Sequence, residues 1–442
     1  MGDEATHHLL LYPEESIRPV AERSERVYIV DDTGARYLDA SGGGGVVTIG
    51  HGVLSVAEAI GAAARRLPYV HRSQFDTPQS LELARLLNDR FPGPPQHARV
   101  TFTSGGSEAT ELAIAIVRRY WVSRGEPSRK TILGRWHGYH GATAGTLTLS
   151  GNRAPRQSYI PTDTPLAAEC YCYRCPFDAA YPVCELACAK DIDETLARVG
   201  PDTVAAFICE PIVGATSGAV PPPTYLRQVR DICDRHGVLF IADETLTGGG
   251  RTGQYFAVQH WDVVPDVILL GSGLASGYAP LGAVLVSERV WKDTKGPDDG
   301  FAPGFTHQAH PPSVAAGLAV QRYIETHDLV LRARRQGEHL HERLARLERI
   351  ARVGDIRGQG LLQTIELVAD KSARTPIRRK ARFVERIVDK LKRNGLLVQA
   401  IRGTIDGTDG EHLMLAPPFV ITELEINYLV DALDEALRST SM

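Results

Sequence analysis

Short apolar runs bounded by polar or glycine-containing turns recur through the first three quarters of the chain. Ala98–Phe102, Thr131–Leu133, Val204–Cys209, Val238–Ala242, Val267–Leu270 and Gly282–Val286 are of this kind, without sustained polar alternation. Such runs suit strands buried on both faces, so the pattern predicts a mostly parallel sheet. Between them, Ser107–Trp121 and Tyr225–His236 have helical periodicity, the second closed by Gly237 as a C-cap. Nearer the start, Arg26–Val30 and Arg36–Leu38 flank Asp32-Thr33-Gly34, a hairpin signal. Beyond about residue 325 the pattern changes to two long amphipathic helices, at about 328–350 and 376–393. Short strands and a final helix at 422–438 follow. The pattern therefore predicts an α/β protein with a large domain over 66–325 and a smaller α+β domain over 326–442. Residues 1–65 carry short strands and are expected to pack with the smaller domain.

A length of 442 residues fits two domains better than one. The balance of 49 Lys and Arg against 53 Asp and Glu carries no footprint for nucleic acid. Apolar runs such as Val267–Leu270 are far too short for a membrane span. No basic segment followed by an apolar one marks a secretory signal. Met1-Gly2…Thr6 superficially fits a myristoylation pattern, but Asp3 and Glu4 beside it argue against that reading. A cytoplasmic enzyme is expected. Only eight lysines occur among the basic residues: 130, 190, 292, 295, 371, 380, 390 and 392.

Thr103-Ser-Gly-Gly-Ser-Glu-Ala-Thr110 lies between a predicted strand and a predicted helix. Free backbone N–H groups and the positive end of the helix dipole favour an anion there, most naturally a phosphate. Gly106 allows close approach and Ser107 adds a hydroxyl; a plain glycine-capped helix start is the alternative. Trp136-His-Gly-Tyr-His-Gly-Ala-Thr143 follows the next strand, where Tyr139 can stack on a planar ligand or pack in the core. His140 is either a site residue or a structural histidine. Cys209-Glu210-Pro211 and the Asp243-Glu244 pair end two further strands, where parallel sheets build their sites. Asp243 could hold a ring nitrogen in its protonated form; metal ligation and helix capping are the other readings. Ser41–Gly45 is an ordinary loop or backbone that approaches a ligand.

The order of these motifs, continued by Gly248-Gly-Gly-Arg-Thr-Gly253, Gly271-Ser-Gly-Leu-Ala-Ser-Gly-Tyr278 and Thr306-His-Gln-Ala-His-Pro311, resembles the class III aminotransferases. The resemblance runs from Asp31–Asp39 to Ala416–Phe419. It implies a fold type I enzyme dependent on pyridoxal 5'-phosphate, with a mostly parallel seven-stranded sheet. It further implies that Gly106 and Ser107 bind the cofactor phosphate and that Tyr139 stacks on the ring beside His140. Asp243 would pair with the pyridine nitrogen and Glu210 would be a nearby carboxylate. Thr306 would reach the phosphate of a neighbouring subunit, which makes a homodimer with shared sites. Arg402 is a candidate for a substrate carboxylate. The substrate would be a small amine or amino acid.

The family's cofactor lysine belongs in Gly271–Tyr278, and Ser272 stands in its place. Serine forms no imine and is a poor base, and a positioned base alone is worth about 10²–10⁴-fold. The chain is therefore expected to bind the cofactor noncovalently, as pyridoxamine phosphate or as an external aldimine, and to transfer amino groups poorly. Decarboxylation, elimination or condensation without a lysine is one alternative, and a catalytically silent binding protein is another. His140, His307, Ser272 and Thr245 are candidate proton carriers. Thr245, Gly249 and Gln308-Ala309 also depart from the family pattern, which favours natural divergence over a substitution made in a working enzyme.

Five cysteines cluster in an insert at about 165–192. Cys172-x₂-Cys175…Cys184-x₃-Cys188 resembles a tetrathiolate zinc spacing; reduced thiols and disulfides are the alternatives.

Overall fold

The computed structural model describes residues 18–93, 98–151, 164–214, 216–294 and 304–441. The Met1–Thr6 pattern and Lys295 lie outside them. Strands β1 (Ala21–Glu25), β2 (Tyr28–Asp31) and β3 (Arg36–Asp39) form an antiparallel meander. Gly34, with φ at +85°, makes the β2–β3 turn in the left-handed region that favours glycine. On its other edge β3 pairs in parallel with Leu396–Leu397, so chain from both ends shares one sheet.

Helices α1 (Leu54–Arg66) and α2 (Pro78–Asp89) lead into the main sheet. Its strands are β4 (Ala98–Thr103), β5 (Thr131–Arg135), β6 (Leu166–Ala167) and β7 (Val204–Cys209), then β8 (Leu239–Glu244), β9 (Val267–Leu270) and β10 (Gly282–Ser287). The spatial order is β4-β10-β9-β8-β7-β5-β6, with β10 alone antiparallel to its neighbours. Every residue of β7, β8 and β9 is buried. Alternate side chains serve opposite faces: Phe207, Phe240 and Ile268 join one core cluster, Ile208, Ile241 and Leu269 the other. Helix α3 (Gly106–Ser123) closes the second face through Leu112, Ala113 and Val117. Helices α4 (Ala187–Val199) and α5 (Tyr225–Arg235) close the first through Ile192, Leu196, Leu226 and Val229. Each such side chain contributes about 1.5–3 kcal/mol on full burial.

Three expectations are refined. β8 runs two residues further than the apolar pattern, so Asp243 and Glu244 pair within the sheet opposite Leu269 and Leu270. The helix expected over 376–393 is confined to Phe383–Arg393, because Thr375–Pro376 pairs as a strand and Arg382 sits at φ +47°. The glycine run Gly42–Gly45 is a tight turn with φ between +56° and +87°. A β-carbon at Gly45 would lie 2.3 Å from Leu246 Cδ1, so this turn packs on the loop that follows β8.

After α6 (Pro311–Thr326), β11 (Val353–Gln359) and β12 (Leu362–Asp370) form a second antiparallel sheet with Glu411–Leu415 and Gln399–Arg402.

Candidate active site

The C-terminal ends of β4, β5, β7, β8 and β9 open on one edge of the main sheet, and the sequence motifs occupy the loops there. Gly105 begins α3 with no side-chain cap, which leaves its first-turn amides for another acceptor. Thr103 Oγ1 donates to the Gly105 carbonyl at 3.0 Å, and Glu108 draws in the Ser104 amide at 2.8 Å. A β-carbon at Gly106 would lie 3.2 Å from Thr245 Cγ2, and one at Gly105 would lie 4.0 Å from Ser272 Oγ. Three strand ends thus converge on one cradle. Ser107 Oγ accepts from the Ala142 amide at 3.1 Å, which ties the cradle to the Tyr139–His140 loop.

His140 and Asp243 are both buried, and His140 Nδ1 stands 2.6 Å from Asp243 Oδ2. The other carboxylate oxygen accepts the Thr245 amide at 3.0 Å. A carboxylate with two such contacts is held in a fixed orientation. His140 Nε2 is buried with no hydrogen-bond partner among the described residues. Glu210 accepts the Tyr139 amide at 3.3 Å and the Gly214 amide at 3.4 Å. Burial pushes its carboxyl up to about 7, with His140 opposing and Asp243 adding to the shift. Tyr139 itself is 38% exposed, with its ring free to meet a ligand. Ser272 opens the 3₁₀ turn Ser272–Ala275 directly after β9.

The fold therefore brings Gly106, Ser107, Tyr139, His140, Glu210, Asp243, Thr245 and Ser272 together. Thr306 stands differently. It is exposed on the turn before α6, and its carbonyl accepts the Tyr69 hydroxyl at 3.1 Å. Arg402 faces Glu385 at 3.5 Å. Glu244 is a structural residue: it accepts the Ala257 and Val258 amides at 2.9 and 2.8 Å, and so caps the 3₁₀ helix Ala257–Trp261.

Two supporting residues escape the motif reading. Arg135 is buried and donates to the Glu210 carbonyl at 2.7 Å and to the Tyr225 hydroxyl at 3.2 Å. Its one sequence signal is a charge at the end of an apolar strand. Gln321, fully buried on α6, donates to the Leu274 carbonyl at 3.0 Å and so holds the Ser272 turn. Nothing in its surroundings along the chain marks it.

Among the described residues, no three or more His, Cys, Asp or Glu side chains are arranged to hold a metal. Within the insert, Cys170 lies beside Cys172 and Cys188. No helix of the described residues is long and apolar enough to cross a membrane.

Known proteins resemble this chain in sequence and fold. The family model for aminotransferase class-III matches residues 12–437. The uncharacterized aminotransferase YodT of Bacillus subtilis is 36% identical over 435 residues, 97% of each chain. The putrescine–pyruvate aminotransferase of Pseudomonas aeruginosa is 32% identical, over 96% of this chain and 91% of its own. An amine transaminase from an uncultivated Pseudomonas species, solved in its PLP-bound internal-aldimine form, superposes with a TM-score of 0.90. It is 35% identical, and the match covers 98% of this chain and 99% of that one. By family model, sequence and fold alike, the chain belongs to the class III aminotransferases, enzymes that work with pyridoxal phosphate.

Proposed function

We propose that this chain binds pyridoxal phosphate noncovalently at the β4–β9 edge and is an aminotransferase by descent that has lost the cofactor lysine at Ser272. The observation that carries this reading is the position of Ser272 beside Gly105, on the turn where the family motif places that lysine. Among the described lysines none follows a strand at this edge: Lys130 precedes β5, and Lys190 and Lys292 lie on helices.

The residues present fit the cofactor. The uncapped start of α3, with Gly106 and the Ser107 hydroxyl, suits its phosphate. Tyr139 offers a ring face, and Asp243 offers a fixed carboxylate for the pyridine nitrogen. When bound, pyridoxal phosphate supplies an electron-withdrawing ring that acidifies the carbon bearing the substrate's amino group. His140, through Nδ1, fixes the orientation of Asp243. Glu210, pushed up to about 7 by burial, can hold or release a proton beside that pair near neutral pH. Ser272 and Thr245 line the place from which the lysine would move a proton, and neither hydroxyl is a competent base at neutral pH.

Amino-group transfer is accordingly slow, and two other outcomes follow from the same absence. One is decarboxylation, elimination or condensation that needs no lysine; the other is a silent cofactor-binding role. We take residues 66–325 as the cofactor domain and 326–442 with 1–65 as the smaller one. We place the enzyme in the cytoplasm as a homodimer. The dimer is supported by α1, where only Val56 is buried, and by exposed Leu54, Phe75 and Leu81 nearby. Tyr69, within that stretch, touches Thr306, which in this reading faces the partner's phosphate.

The test is cofactor titration with borohydride reduction. Bound cofactor that washes away after reduction is expected, and Ser272→Lys should make the attachment covalent. Covalent cofactor in the unaltered protein would overturn the reading. Conversion of bound pyridoxal phosphate to pyridoxamine phosphate by amino donors would assign transfer. Loss of substrate atoms without that conversion would assign the lysine-free chemistry.

A further inference from the structure

The cysteine insert holds chemistry that the cofactor site does not use. Cys170 and Cys188 are buried, Cys172 is exposed, and none of the seven cysteines is in a disulfide. The Cys170 thiol lies beside the thiols of both Cys172 and Cys188, near enough to perturb both. Between the first two, Tyr171 has φ −127° and ψ +84°, an open conformation that turns the side chains before and after it to the same side. Two residues of extended chain span about 6.6 Å, at the upper limit of the Cα separation a disulfide tolerates, and the bend at Tyr171 shortens it. The neighbouring Cys170 also brings the Cys172 thiol down to about 7, which favours the nucleophilic thiolate on the exposed member.

Tyr171 is not a passive spacer. Its hydroxyl meets Glu366 of β12 and accepts from Arg357 of β11 at 2.8 Å. Arg357 also donates to the Ser217 carbonyl at 2.9 Å. The Tyr171 ring stands edge-on to His137, 6.3 Å between centroids, two residues before Tyr139. A change of backbone at Tyr171 therefore reaches both the second sheet and the aromatic loop of the candidate active site.

We propose that Cys170 and Cys172 form a thiol–disulfide modification site, with Cys172 the residue attacked by oxidant and Cys170 the resolving thiol. With hydrogen peroxide as oxidant, the Cys172 thiolate attacks one peroxide oxygen and the O–O bond breaks. This gives Cys172 sulfenic acid and, after protonation, one water. The Cys170 sulfur then attacks the Cys172 sulfur, the S–O bond breaks, and the hydroxyl leaves with the Cys170 proton as a second water. Two thiols are oxidised by two electrons, and the peroxide is reduced to two waters. The inference does not depend on the role assigned to Ser272.

Differential alkylation and peptide mapping of the full-length protein test it. Brief peroxide treatment is expected to remove two thiols per chain, recovered as a Cys170–Cys172 bond that dithiothreitol reverses. Cys172→Ser, at an exposed position, should abolish that loss, and Cys175→Ser should leave it unchanged. In the oxidised protein, proteolysis between β11 and β12 should change relative to the reduced form, since Tyr171 anchors both. Oxidation of Cys172 to sulfinic acid with Cys170 still free, or a bond formed instead through Cys188, would overturn the proposal. Stoichiometric zinc that shields these thiols in the purified protein would overturn it as well.

Discussion

His140 and Asp243 show how much of this site lies in the direction of single side chains. The motif order places a histidine beside a stacking aromatic residue, but it does not say that the ring turns inward onto Asp243. That direction is set by the His140 amide on Ser150 Oγ at 3.0 Å and by burial of the His140 ring and the Asp243 carboxylate, features that arise only when β5 and β8 are folded. Removing the histidine leaves Asp243 with one protein partner. A hydrogen bond to a charged group is worth about 1.5–3 kcal/mol, so His140→Ala should weaken pyridoxal phosphate binding by about 10–100-fold in a fluorescence titration. Glu210 gives a prediction of stability. Its carboxyl is pushed up to about 7 in the fold against an ordinary value of 4.5, so the folded state binds more protons between those values. Its contribution is complete at low pH and is lost as pH rises through that window, by an amount on the order of 1–3 kcal/mol. Glu210→Gln should therefore gain stability relative to the parent protein between about pH 5 and about pH 8, measured by urea denaturation of the apoprotein.

At the scale of elements, apolar runs locate six of the seven main-sheet strands, all but β6, because β7, β8 and β9 need no polar face. Their ends are less legible. Asp243 and Glu244 continue β8 although a hydropathy pattern stops before them, since both carboxylates find donors on the edge where the strand emerges. The shortened helix at Phe383–Arg393 has a similar cause: Pro376 and the left-handed Arg382 interrupt what side-chain periodicity would continue. Glu244 binds the end of β8 to the 3₁₀ helix Ala257–Trp261 through two amides, and also accepts the Thr247 hydroxyl from the turn after β8. Glu244→Ala leaves those buried donors without an acceptor. Each unsatisfied group costs about 1–3 kcal/mol, so a loss of about 3 kcal/mol or more in urea denaturation is expected. Glu244→Gln, which keeps an acceptor, should lose less.

Across the whole molecule, the family, the sheet and the edge that gathers the motifs were legible in the order of the motifs, while the tie between distant segments was not. The exposed stretch from Leu54 to Leu81 makes the predicted dimer testable: Phe75→Asp and Leu81→Asp together should shift sedimentation from dimer to monomer without unfolding the chain. Both residues are well exposed, at 65% and 59%, in the single chain. The glycine-flanked Arg251 supplies the tie. It is fully buried, and its guanidinium donates to the carbonyls of Gly45, Val47, Leu361, Ala416 and Pro417 at 2.8–3.2 Å. No one of these segments can lift away without stranding a charge among the others. Slow amide exchange should therefore be lost from residues near 45, 361 and 416 in one concerted event, and no partial opening should release the first of them ahead of the last.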